Sequence, residues 1–349
     1  MAPPSRGRHL SRTFRRSREK MVRMRVRRSF LAVLGFTLLA SACTGSDDPS
    51  TPTASATGPT SSSLSMEVAS SDLAVGAAQH FEVGIFSSDG QGVKLLSFGH
   101  LSLGFSFLGD GSGTAQPGPQ AVGTYVGAYG TSQDGTEPTF TDPNDARGIY
   151  LADVTFDQAG TWQVDATVDI PDEGTKTLST SFVVEKEHSL PAPGDRAQPT
   201  ENLTMDSTGV PPAAIDSRAL DGAPVPDPGL HRTTIADALA QERPILVLFS
   251  TPTYCVSLMC GPETDGLEAL SQQYADRAVF IHVEIWRDYQ KSVVNRAAND
   301  WVCCDATGSL TEPWLFLIGP DGVIKDRWGP LFDPDAVAKE LALLPRSKP

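Results

Sequence analysis

Three stretches in the first half of the chain alternate apolar and other residues with a period of two. They are Phe81, Val83 and Ile85; Leu101, Leu103, Phe105 and Phe107; and Trp162, Val164, Ala166 and Val168. Successive side chains of a strand point to opposite faces, so this spacing predicts half-buried strands between Gly, Asp and Pro turns. Residues 64–187 are therefore expected to be all-β. The pattern changes near His231. Thr234 and Asp237 are spaced as a capping pair for a short helix through Ala240. Residues 245–249 form a continuous apolar run, as expected of a strand covered on both faces. Leu267, Leu270 and Tyr274 predict a helix over 262–273, and 279–285 reads as the next strand. Val293, Val294 and Ala297 suggest another helix. Residues 314–318 and 323–327 flank Gly-Pro-Asp-Gly and predict a hairpin, and Asp333-Pro334 caps a last helix carrying Val337, Leu341 and Leu344. Residues 231–349 thus read as an α/β domain. Between the two regions, 188–230 is Pro-rich and reads as a semi-rigid connector.

The N-terminus changes where this chain is expected to work. Residues 1–28 carry eleven Arg and Lys against one acid, Glu19. A short apolar run from Phe30 and the segment Leu39-Ala-Ser-Ala-Cys43 follow. A charged stretch, a short apolar stretch and small residues form an export signal, too short to span a bilayer. The last five residues resemble a bacterial lipobox, with Ala40 where Leu is more usual. The resemblance implies cleavage after residue 42 and a lipid on Cys43, placing the chain on the extracytoplasmic face of the cell membrane. An ordinary secretory signal with a spare Cys43 is the alternative, and Met21 or Met24 is an alternative start. Residues 43–63 are rich in Ser, Thr, Pro and Gly and read as a disordered tether.

The full chain has 28 basic and 42 acidic residues, a net charge of −14. Removing the signal leaves 17 basic against 41 acidic residues, a net −24. That charge repels nucleic acid and anionic headgroups, so neither is expected as an electrostatic partner. His80 and His100 are isolated in the β region and read as surface or hydrogen-bonded residues.

With Cys43 lipidated, four cysteines remain: Cys255, Cys260, Cys303 and Cys304. Cys255 and Cys260 lie between the apolar strand and the helix that follows it. A helix N-terminus presents free N–H groups and a partial positive charge, which favour thiolate, the reactive form. Residues five apart in a helix rise about 7.5 Å, whereas a disulfide needs Cα atoms roughly 4.4–6.8 Å apart. Residues 256–259 must therefore be non-helical or tightly turned if the pair bridges. Pro262 fits a first helical turn and places Cys260 at or before the cap.

The element order, the cysteine pair after the first long strand, Thr311-Glu-Pro313-Trp before the hairpin and the Gly-Pro-Asp-Gly turn together resemble the thioredoxin-like superfamily. The resemblance covers about residues 231–349 and is nearest to extracytoplasmic TlpA-type and Sco-type proteins, as a Cys-x4-Cys variant. It implies a cis-proline at Pro313, shaping the face that receives a partner chain. Asp157-Gln-Ala-Gly-Thr-Trp162-Gln-Val resembles a corner of immunoglobulin-like sandwiches, so the expected fold is an immunoglobulin-like sandwich joined to a thioredoxin-like domain. Four intervening residues depart from the shorter spacings of those families. An alternative alignment matches Cys260-Gly-Pro-Glu263 to Cys-Gly-Pro-Cys. Nucleophile and resolver therefore stay open.

Three functions follow. The first is a membrane-anchored thiol–disulfide oxidoreductase or electron carrier acting on a protein disulfide or dithiol, with Cys255, Cys260 and Pro313 at its site and no cofactor. The second is a copper-binding chaperone using the same thiolates. The Sco-type site needs a late histidine, yet none follows His282, which reads as a core residue; Cys303 and Cys304 are substitute sulfur ligands. The third is a redox-inert interaction module with Cys255–Cys260 as a staple. Cys303 and Cys304 are read as secondary thiols, serving as an electron relay, a static disulfide or incidental loop residues.

Overall fold

A computed structural model describes residues 63–88, 92–110, 114–132, 135–305 and 308–347. The expected signal, Cys43 and nearly all of the tether lie outside the described residues. Among the described residues no helix is long and apolar enough to cross a membrane. The fold is mostly β, with the α-helices confined to the C-terminal part.

The first part contains nine strands: β1 (Ser63–Val68), β2 (Gln79–Ser88), β3 (Val93–Ser97), β4 (His100–Gly109), β5 (Gln116–Gly127), β6 (Thr139–Thr141), β7 (Gly148–Val154), β8 (Gly160–Ile170) and β9 (Gly174–Val184). Instead of two separate facing sheets, they form one hydrogen-bonded path, β6-β3-β2-β7-β5-β4-β8-β9, with β1 also on β2. The length of β2 allows this. Its first half pairs with β7, and its second half pairs with β1 and β3. β1, which branches from β2, and β9, at one end of the path, flank a common groove lined by Met66, Val68, Thr180 and Phe182, so the sheet curls around its core. The alternating residues face inward as expected. Phe81, Val83, Ile85, Leu101, Leu103, Phe105, Trp162, Val164, Ala166 and Val168 share one buried cluster. Trp162 Nε1 donates to the Gln158 carbonyl at 2.9 Å, so the indole is buried with its polar atom satisfied.

The second part contains α1 (Ile235–Leu239), β10 (Ile245–Ser250), α2 (Cys260–Tyr274), β11 (Val279–Glu284), β12 (Trp286–Asp288), β13 (Val293–Val294), α3 (Arg296–Val302), β14 (Trp314–Ile318), β15 (Ile324–Trp328) and α4 (Pro334–Leu343). Four strands make a sheet in the order β11-β10-β14-β15. β10 runs parallel to β11 and antiparallel to β14, and β15 is antiparallel to β14. The continuous apolar run of β10 is explained by cover on both faces. Ile245, Val247 and Phe249 pack with α1 and α3, while Leu246 and Leu248 pack with α2 and α4. Thr234 caps α1, its Oγ1 accepting from the Asp237 N–H at 3.0 Å.

Two elements differ from expectation. Val293 and Val294 belong to a short hairpin with β12 rather than to a helix, as suits adjacent β-branched residues. The helix begins only after Asn295, whose side-chain amide donates to the Ala214 and Glu284 carbonyls. The Pro-rich segment 188–230 does not stand free either. Leu190, Ala192, Ala197, Ala214, Ile215 and Ala219 are buried, and Gly194 N–H donates to the Ile324 carbonyl beside β15.

The described residues pack as one compact unit. Arg327 on β15 is buried and pairs with Asp72 of the first part at 2.8 Å. Its guanidinium also donates to the Pro191 carbonyl and to His188 Nδ1. Met259 and Leu331 share an apolar cluster with Ala128 and Ile149, so the β-rich part touches the residue before Cys260.

Candidate functional site

β10 ends at Ser250 and α2 begins at Cys260. Cys255 and Cys260 are disulfide-bonded, with Cα atoms 5.9 Å apart. Residues 255–259 are non-helical, and Leu258 has a left-handed backbone, φ 64°, which turns the chain into α2. The helix starts two residues earlier than the pattern implied, with Cys260 as its first residue. Arg147, in the turn before β7, donates to the Leu258 carbonyl at 2.9 Å and ties the loop to the β-rich part.

The two sulfurs differ in access. Cys260 is fully buried, whereas Cys255 is half-buried. Its Sγ lies 3.3 Å from the Cys260 N–H and 3.2 Å from the Ser257 hydroxyl. Around it the surface is apolar, with Val256 91% and Leu258 57% exposed. Tyr254 stacks on Tyr289 at 3.9 Å. Below Cys260 runs a buried hydroxyl chain. Thr264 Oγ1 donates to the Cys260 carbonyl at 2.7 Å and meets Ser250 Oγ at 2.8 Å, and Ser250 Oγ meets His282 Nε2 at 2.8 Å.

Pro313 is buried at the start of β14, and the Glu312–Pro313 peptide bond is cis. The structure brings its neighbour Glu312 to the disulfide: carboxylate and sulfur atoms of Glu312, Cys255 and Cys260 lie within 4.8 Å of one another. Burial, and secondarily the Glu284 carboxylate, push Glu312 up to about 7. Glu263, one turn into α2, is buried and raised well above the carboxylate range, although the Phe332 N–H donates to it at 2.9 Å. Cys303 and Cys304 form their own vicinal disulfide, so they are not free loop thiols.

A second polar group was not foreseen. Asp216 in the connector, His231 at the end of the short turn Pro228–His231 and His282 on β11 are all fully buried and place one ligand atom each within 4.8 Å of the others. Burial holds the His231 ring below its usual pKa, against the pull of the Asp216 carboxylate. His282, read from the sequence as a core residue, is buried mid-strand as expected, with Nε2 hydrogen-bonded to Ser250 and Nδ1 facing Asp216. No sequence signal marks the group, because its members lie in three segments that only the fold assembles.

No family model matches the chain, and no curated protein or solved structure does.

Proposed function

We propose that the chain is an extracytoplasmic thiol–disulfide oxidoreductase of the thioredoxin-like class, anchored by a lipid on Cys43. The observation that carries this is the Cys255–Cys260 bond at a strand–helix junction, with one sulfur accessible and the other buried at the helix start. The order and directions of β10, β11, β14 and β15 support the class assignment. In this reading the first part is an immunoglobulin-like module whose sheets have merged, and it steadies the active loop through Arg147 and Met259.

Cys255 is the accessible nucleophile in the reducing direction. Its thiolate attacks a partner disulfide, forms a mixed disulfide and expels one partner thiolate. Cys260 then loses its proton to the Glu312 carboxylate and attacks Cys255 Sγ. The second partner thiolate leaves, and the pair has passed two electrons to the partner. A dithiol donor outside the cytoplasm restores the reduced pair.

A redox titration with thiol labelling read by mass tests the proposal. Reversible opening of Cys255–Cys260 is expected, with disulfide reduction abolished by Cys255→Ser and by Cys260→Ser. The double change Cys303→Ser, Cys304→Ser is expected to have a smaller effect. A bridge that resists reductants, or full activity in the first-pair variants, rejects the exchange chemistry and favours an interaction module. Uptake of copper(I) by the reduced pair without exchange activity favours the chaperone alternative. Cys43→Ser should release the chain from membranes; retention after high-salt washing rejects the lipid anchor.

A further inference from the structure

We propose that Asp216, His231 and His282 are the ligands of a divalent transition-metal ion of the zinc class. Such an ion ties the connector and the turn before α1 to the central sheet. This site is separate from the cysteine pair and does not rest on thiol chemistry.

The geometry favours coordination over direct hydrogen bonding. Asp216 Oδ2 lies 3.4 Å from His231 Nε2 and 3.5 Å from His282 Nδ1. Ordinary N–H···O bonds are about 2.7–3.2 Å, so both contacts are too long. Two ligand atoms bound tetrahedrally to zinc at about 2.0–2.1 Å are instead about 3.3 Å apart. The two rings converge on the carboxylate at an interplanar angle of 69°.

The polar atoms are otherwise unsatisfied. Among the described residues, neither ring nitrogen of His231 nor Nδ1 of His282 has a hydrogen-bond partner, although both residues are fully buried. Leaving a buried donor or acceptor unpaired costs about 1–3 kcal/mol. An ion between Nε2 of His231 and Nδ1 of His282 removes two of these defects. Supporting contacts are in place. Ser250 Oγ meets His282 Nε2 at 2.8 Å and fixes the ring. Arg218 grips Asp216 with Nε on Oδ1 at 3.1 Å and Nη2 on Oδ2 at 2.8 Å, leaving a lone pair of Oδ2 for the ion.

The charges also fit a dication. Arg218 pairs with Asp227 and Asp265 as well as Asp216. Asp216, Asp227 and Asp265 thus set three carboxylates against one guanidinium around the site, an excess of acidic groups that suits a cation. Three protein ligands leave a fourth position for water, and the N2O donor set suits zinc or cobalt.

The test uses the full chain in detergent with Cys255–Cys260 kept oxidised, stripped with a chelator and titrated with Co²⁺ and Zn²⁺. Stoichiometric cobalt uptake is expected, with visible d–d absorption and no sulfur charge-transfer bands. Added Zn²⁺ should raise the Tm, because an ion that binds only the folded state stabilises it. His231→Ala and His282→Ala should lose both effects, while the Cys255→Ser, Cys260→Ser double variant should keep them. Should the histidine variants not fold, the wild-type cobalt form decides: paramagnetically shifted ring N–H signals from two histidines support the site, and their absence overturns it. A folded wild type without stoichiometric uptake, or histidine variants that retain it, also overturns the proposal.

Discussion

At the scale of single residues, access and protonation separate roles that spacing leaves open. Cys255 and Cys260 are equivalent as letters in a Cys-x4-Cys motif, but only Cys255 reaches solvent. In the sequence Glu312 is only an acid before a proline, a pattern with no special chemistry. Its significance comes from burial beside Glu284 and the two sulfurs, contacts made by segments far apart in the chain. Its pKa of about 7 sets a measurable limb. Below that pH the carboxyl is protonated and cannot take the Cys260 proton; above it the carboxylate can. The resolving step should therefore speed up as pH rises through about 7. In Glu312→Gln the limb should vanish and the rate should fall about 10²–10⁴-fold, the usual contribution of a positioned acid–base group. Stopped-flow resolution of a preformed mixed disulfide reads this directly. An unchanged pH profile in the Gln variant would remove Glu312 from the mechanism. The Gln variant should also gain relative stability between the ordinary carboxylate range and pH 7, where the folded wild type must keep a proton that the unfolded chain releases.

At the scale of elements, strands with strong periodicity were legible and their partners were not. The alternation of β2, β4 and β8 and the unbroken run of β10 follow from cover on one face or two. Which strands pair depends on length and curvature, so one nine-stranded sheet, an eight-strand path with β1 branching from β2, could not be read from alternation alone. Apolar residues at 293, 294 and 297 fit a helical face as well as a short hairpin, so the pattern does not distinguish the two. The prolines of the connector predict a spacer, yet several of its Ala, Leu and Ile side chains are buried, and it supplies Asp216. Covering both faces makes a specific energetic claim for β14. Phe316 packs toward α1 and α3, and Leu317 toward α2 and α4. Leu317→Ala should cost about 2–5 kcal/mol and Phe316→Ala about 3–5 kcal/mol, since each leaves a cavity in its own layer. On half-exposed β9, Val183→Ala should stay within about 0.5 kcal/mol. Chemical denaturation midpoints check all three. A small effect at either β14 position would mean that one face of the sheet is not packed as described.

At the scale of the whole molecule, polar contacts fix the β-rich part against the α/β sheet, and one of them provides a pH-dependent latch. His80 on β2 lies 2.8 Å from Asp153 and 3.2 Å from Asp326 on β15, and its ring stacks on Trp328 at 5.5 Å. The sequence reads His80 as a surface or hydrogen-bonded residue; the structure makes it hydrogen-bonded, to acids at least 73 residues away that no local pattern could name. Burial opposes the charged ring, but the two carboxylates outweigh it and raise the folded-state pKa to about 10. The sign follows from linkage. In the unfolded chain the ring loses its proton near pH 6.5, whereas the folded protein keeps it to about 10. The stabilisation from this latch is therefore complete below about pH 6.5 and is lost as pH rises toward 10. Arg327 and Asp72 join the same parts through a separate ion pair that His80→Gln leaves in place. Replacing His80 by Gln should lower stability at pH 6 and leave it nearly unchanged at pH 10.5, compared with wild type at the same pH. Denaturant unfolding across that range, on the wild type and His80→Gln side by side, separates this latch from general alkaline loss. Parallel curves for the two proteins would show that the His80 charge does not hold the parts together. Curves that converge as pH rises would locate the stabilisation in the ion pairs to Asp153 and Asp326.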